Sequence, residues 1–322
     1  MRLFSPRLAL PLVVAAAGLL AASSAQAYPY QPIRGTQLSS PNSVWNKPLA
    51  ASAPLTSNSS TLSGTLNWEQ AYFGPWINTT SYSTPIYTVS RYQPTLHVTL
   101  DNNSAKLAAD FNQVPLPPDA RPAAGTDGHL VVWRPSTQTM WEFWQLHTDA
   151  SGNWHATWGG KMTNVSSNPG YYPAPYGATA TSLPVGAGVI TLQEESDGVI
   201  NHALALAIPH PKAGTFVYPA QRGDGDSTSD TAIPEGTRFR LPASLNIDAL
   251  NLPRQTAMMA KAAQKYGIIV VDGGGAVAFR AEDPYLYRQQ YGVDPYGYLF
   301  GGQWANQLLG QFPWAQLQVV QP

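Results

Sequence analysis

The alternation of apolar and polar positions is sharpest over residues 199–208. Ile200, His202, Leu204, Leu206 and Ile208 fall on one side of an extended chain, and Asn201, Ala203, Ala205 and Ala207 on the other. The pattern predicts a strand with one imidazole on an aliphatic face, and an imidazole placed there requires a polar partner. Apolar runs at 129–134 and 140–147, separated by Pro135-Ser136-Thr137-Gln138-Thr139, predict a hairpin, with 154–158 as a third strand of the meander. Further strands are expected near 85–100, 185–192, 215–219, 268–272, 276–280 and 316–320. The period changes only once. Between Pro253 and Gly267, the stripe Met258, Met259, Ala262, Ala263 and Tyr266 has helical spacing, so one helix is expected near residues 253–266. Residues 28–63 are rich in Pro, Ser, Asn and Thr and read as an extended wrap anchored by Trp45. These elements predict an all-β chain, a β-sandwich of jelly-roll type, with residues 28–322 as a single domain.

Composition narrows the setting. Arg2 and Arg7, the apolar run 8–20 and Ala25-Gln26-Ala27 match an export signal over residues 1–27, so the chain is expected outside the cell or in a periplasm. No later run is long enough to insert into a membrane. There is no cysteine, which excludes disulfides, thiolate metal sites and cysteine nucleophiles. A formal net charge of -1 with only 11% charged residues gives no field to hold nucleic acid. The 10 Trp and 16 Tyr, set among many hydroxyl and amide side chains, suit a polysaccharide or oligosaccharide partner, whose rings stack and whose hydroxyls bond. The same aromatics also suit an ordinary β core.

Four polar residues lie on largely apolar strand faces: His129, Glu142, Glu194 and His202. If their strands are neighbours, the two carboxyls form an acid and base or nucleophile pair for glycoside hydrolysis, with the histidines orienting them. Trp141, Trp144, Tyr218 and Arg222 are the candidate substrate contacts. A polysaccharide lyase is the alternative chemistry, with His202 or His129 as base, Tyr218 as acid and Arg222 or Lys161 neutralising a uronate carboxylate. Another alternative is a non-catalytic carbohydrate-binding or cell-surface structural module, in which the buried polar groups only hold the sheet. Asp224, Asp226, Asp230 and Glu235, with Glu235 eleven residues after Asp224, mimic the spacing of a calcium loop. Position six is Ser229 rather than Gly, so a solvated acidic turn is the simpler reading and no cofactor is expected.

From Asp127-Gly128-His129-Leu130 through Leu183-Pro184, Glu194, Ile200-Asn201-His202-Ala203-Leu204, Tyr218-Pro219-Ala220, Pro234-Glu235-Gly236 and Tyr266-Gly267 to Asp272, the chain resembles a group of secreted bacterial proteins of unassigned function. The likeness covers roughly residues 127–280. It implies export and a shared domain, and it carries no mechanism.

Overall fold

The computed structural model describes residues 28–322, so the export signal read at 1–27 lies outside the described residues. The architecture is mixed α/β, 24% helical and 21% strand, which corrects the all-β jelly-roll expectation. Three sheets share the chain. The largest has six strands in the order Pro75–Asn78, Val277–Arg280, Leu204–Ile208, Ile268–Gly273, Arg238–Arg240 and Gln318–Val319. A four-stranded sheet runs Ile86–Thr88, Leu130–Arg134, Thr139–Trp144 and Trp158–Met162, and a three-stranded one runs Val98–Leu100, Trp154–Ala156 and His147–Thr148.

Each sheet contains a parallel pair, which an antiparallel jelly roll does not allow. Leu204–Ile208 runs parallel to Ile268–Gly273, Ile86–Thr88 to Leu130–Arg134, and Val98–Leu100 to Trp154–Ala156. Parallel partners need a long crossover, and that between Leu204–Ile208 and Ile268–Gly273 carries the helix Arg254–Lys265. The helix buries Met258, Met259, Ala262 and Ala263 and stops at Gly267, whose φ of 91° suits glycine. The strands Ile268–Gly273 and Val277–Arg280 follow each other in the chain but are not partners, because Leu204–Ile208 lies between them.

Other departures have local causes. Residues 185–192 form no strand beyond a bridge at Ile190, because Thr191 and Glu194 cap each other and open the helix Leu192–Asp197. Residues 215–219 make only a bridge at Phe216. The meander's third strand is Trp158–Met162, while Trp154–Ala156 joins the small sheet. The wrap ends in a helix, Ser59–Phe73, that its Ser- and Thr-rich sequence hid; Leu62, Leu66 and Glu69 recur at helical spacing on its buried side. One core cluster joins all three sheets, with Val98, Val132, Phe143, Leu206 and Phe279 among its members.

The Leu204–Ile208 strand is buried on both faces. Just before it, His202 is sealed inside: Nδ1 donates to the Ala203 carbonyl at 2.8 Å and Nε2 to the Glu194 carboxylate at 3.2 Å. With both nitrogens donating, the ring is an imidazolium. Burial pulls its pKa down, but the charge and hydrogen bond of Glu194 and the Ala203 carbonyl outweigh burial and raise it. Glu194 also accepts from the Gly35 amide at 3.1 Å, so this pair fastens the wrap to the central strand. A Cβ at position 35 would overlap the His202 ring. Gly35→Ala is therefore expected to cost about 1–3 kcal/mol in a chemical denaturation experiment, the usual range for overpacking. An unchanged unfolding midpoint would contradict this packing.

Candidate functional site

The other face of the central strand builds a cleft. In the register of Leu204–Ile208 with Ile268–Gly273, Ile269 lies opposite Ala205 and Val270 opposite Leu206, but Asp272 rather than Val271 lies opposite Ala207. This bulge inserts one residue and turns Asp272 onto the alanine face. On the far side of Leu204–Ile208, Ala278 pairs with Ala207, so Arg280, two residues on, shares that face. Alanines leave room where larger side chains would close it. Arg280 Nη2 spans the gap to Asp272 Oδ2 at 2.7 Å.

Two adjoining hollows of about 440 and 490 Å³ open here and share Asp127, His129, Asp272 and Gly273. The first adds Trp144, Trp158, Arg222 and Asp224, and the second adds Arg280 and Tyr82. Trp144 and Trp158 are direct cross-strand partners in the four-stranded sheet, so their half-buried indoles stand side by side. The loop 177–185 forms one wall and is held from three sides. Glu142 accepts from the amides of Ala178 and Val185, each at 2.8 Å, Arg222 donates to Ser182 Oγ and the Thr179 carbonyl, and Thr181 donates to the Val271 carbonyl. That loop orients His129, whose Nε2 lies 3.2 Å from the Ala178 carbonyl and must donate to it. Burial and the neighbouring Arg280 lower the His129 pKa to about 4. The ring is therefore neutral at pH 7 with a lone pair on Nδ1.

Asp224, Glu235 and Asp272 each bring an oxygen within 4.8 Å of the other two. Carboxyls this close repel when ionised, so they favour holding a proton or a cation, and Arg280 already supplies one positive charge to Asp272. Burial, aided by the charge of Asp224, raises Asp272 to about 6 and Glu235 to about 7. Glu235 lies behind the cleft, with Oε2 accepting from the Asp224 amide at 2.9 Å and Oε1 buried without a partner. Among the described residues, one other group has the spacing to hold a metal: Asp101, His147 and His155.

The residues read from the sequence are thus distributed unevenly. His129, Trp144, Arg222 and Asp224 line the cleft, and Glu235 backs it. Glu142 sits behind the wall as its anchor. Glu194 and His202 belong to the interior lock described above, so the two glutamates do not form a pair and neither faces the cleft. Trp141 is buried with its indole N–H on the Asp110 carbonyl, and Tyr218 stands outside the cleft, edge-on to Tyr171. Of the calcium-like quartet, Asp226 and Asp230 are exposed and outside the carboxyl cluster, with Asp226 facing His210 at 3.7 Å. Asp127, Asp272, Arg280 and Trp158 are the additions. Asp272 and Arg280 each follow an uninterrupted apolar run, a charged residue where a buried strand emerges, and that signal was available in the sequence.

No known protein family, curated protein sequence or solved structure matches the chain. Among the described residues no helix is long and apolar enough to cross a membrane.

The buried acids make stability depend on pH. Burial raises Glu142 to about 7 and Glu195 and Glu282 to about 8. Since an unfolded Glu titrates near about 4.3, the stability they contribute is complete below that value and is lost as pH rises through about 7 to 8. His202, also raised, has the same sign. His129 is depressed and acts oppositely, but only below its unfolded value of about 6.5. Calorimetry should therefore show Tm falling from about pH 6.5 to about pH 8.5; a level or rising Tm would contradict the burial of these carboxyls.

Proposed function

We propose that the chain is a carbohydrate-active enzyme that cleaves an extracellular polysaccharide by glycoside hydrolysis, with the chemistry carried by the cleft carboxyls. The observation that supports this most is one carboxyl with a raised pKa, Asp272, within 4.8 Å of a second, Asp224, in an open cleft walled by two adjacent indoles. A proton donor to the leaving oxygen needs a raised pKa, and burial lifts Asp272 to about 6 against the opposing pull of its ion pair with Arg280, so hydrolysis by this acid is expected to be fastest below neutral pH. Asp224, exposed to water, is the partner carboxylate. Their oxygens, within 4.8 Å of one another, lie below the roughly 6.5–9.5 Å gap that inverting enzymes keep for water, which favours a retaining mechanism in which the second carboxylate attacks the sugar carbon. Trp144 and Trp158 offer a stacking surface for sugar rings, and Arg222 and Asn102 at the rim offer donors to hydroxyls. Glu142 is a positioning residue, since it holds the wall that orients His129.

One observation favours a second reading. Neutral His129 lies beside Arg280, whose Nη1 is buried without a hydrogen-bond partner. A free guanidinium N–H next to an imidazole lone pair suits a uronate carboxylate and the proton on its neighbouring carbon, as lyase chemistry requires.

Incubation with a polysaccharide panel separates the two. Hydrolysis gives new reducing ends without absorbance near 235 nm, and a lyase gives both. Asp272→Asn and Asp224→Asn should each lower the hydrolytic rate by about 10²–10⁴-fold while thermal unfolding remains cooperative. Full activity in either variant, or glycan retention without any cleavage, would overturn the hydrolase assignment.

A further inference from the structure

Away from the cleft, the three-stranded sheet gathers two histidines and an aspartate from three separate stretches of chain. His147 and His155 are direct partners in antiparallel register, with ring centroids 5.5 Å apart. Asp101 follows the strand Val98–Leu100 on the other side of Trp154–Ala156. Its carboxylate reaches both rings: Oδ1 is 2.8 Å from His155 Nδ1, and Oδ2 is 4.0 Å from His147 Nε2. One potential ligand atom from each of the three lies within 4.8 Å of the others.

The ring of His147 is fixed by the backbone. Its Nδ1 lies 2.9 Å from the Gln145 carbonyl, an acceptor, and so carries the proton. Its Nε2 is left facing Asp101 Oδ2 at 4.0 Å. Fixing one imidazole nitrogen on a backbone carbonyl while the other faces outward is how metal-binding histidines are oriented. Two imidazoles with one carboxylate match the donor preference of zinc and similar borderline cations rather than calcium or magnesium. Ligands at about 2.1 Å in a tetrahedron lie about 3.4 Å apart. The contacts of 2.8 Å through Oδ1 and 4.0 Å through Oδ2 bracket that spacing, so a small rotation of the Asp101 carboxylate and of the exposed His147 ring would bring the donors to it.

We infer that Asp101, His147 and His155 form a zinc-class divalent metal site that cross-links the three strands of the small sheet. Three protein ligands leave the fourth position to water. The ion braces the segment that also carries Asn102 to the rim of the cleft. None of the three ligands lines the cleft, so the site is independent of the proposed hydrolysis.

The test is zinc titration by calorimetry, with cobalt absorption as the spectroscopic readout, on chain lacking residues 1–27 and any histidine tag. One equivalent should bind and raise Tm. His147→Ala, His155→Ala and Asp101→Ala should each weaken binding by about tenfold or more while their metal-free Tm stays near that of the parent. Asp272→Asn, which disturbs the only other cluster of suitable spacing among the described residues, should bind as the parent does. No binding at about 1 mM zinc, binding untouched in the histidine variants, or binding abolished by Asp272→Asn would each overturn the site.

Discussion

Complete burial of the Leu204–Ile208 strand on both faces is the constraint on which the rest of the structure depends. A polar group beside the sealed part of such a strand has no water to turn to, so it must find a partner within the protein or change its protonation. The two faces meet this demand differently. Beside the aliphatic face, His202 and Glu194 neutralise each other and are closed over by Gly35, which yields a fixed and inaccessible link. On the alanine face the side chains are too small to fill the space. Asp272 and Arg280 reach across it, Asp224 and Glu235 approach from a loop, and the region stays open to solvent.

The cleft is therefore a place where stability is given up. Arg280 Nη1 and Glu235 Oε1 are both buried without partners, and three carboxyls crowd together although the chain is poor in charge. Groups left unsatisfied in this way cost about 1–3 kcal/mol each in an otherwise well-paired interior. Such costs concentrate where a ligand completes the pairing. The wall that closes the cleft is rigid for the opposite reason, since Glu142, Arg222 and Thr181 all have their partners.

Much of the local structure was legible in the sequence. The hairpin of Leu130–Arg134 and Thr139–Trp144 followed from its alternation and turn, and the helix Arg254–Lys265 from its stripe between Pro253 and Gly267. The order of strands was not, because alternation marks a strand without naming its neighbours, and the parallel pairings turned an expected sandwich into a mixed fold. The alternation around residue 204 makes its histidine conspicuous, whereas Ala207 on the opposite face, which lines the cleft, carries no chemical signal. A single-residue bulge at Val271 decides where Asp272 points, and no periodicity reveals it. Asp224 and Glu235 stood out for their calcium-like spacing and meet in space for another reason, with Asp272 as their third member.

We propose that the alanine face of the buried strand, and not its histidine face, presents the functional surface. A crystal structure of Asp272→Asn soaked with an oligosaccharide, chosen from a panel by binding, tests this most directly. The account predicts a sugar ring stacked on Trp144 or Trp158, with a glycosidic oxygen within hydrogen-bond reach of position 272. Sugar bound elsewhere, with the cleft between Asp127 and Asp272 left filled by water, would contradict it.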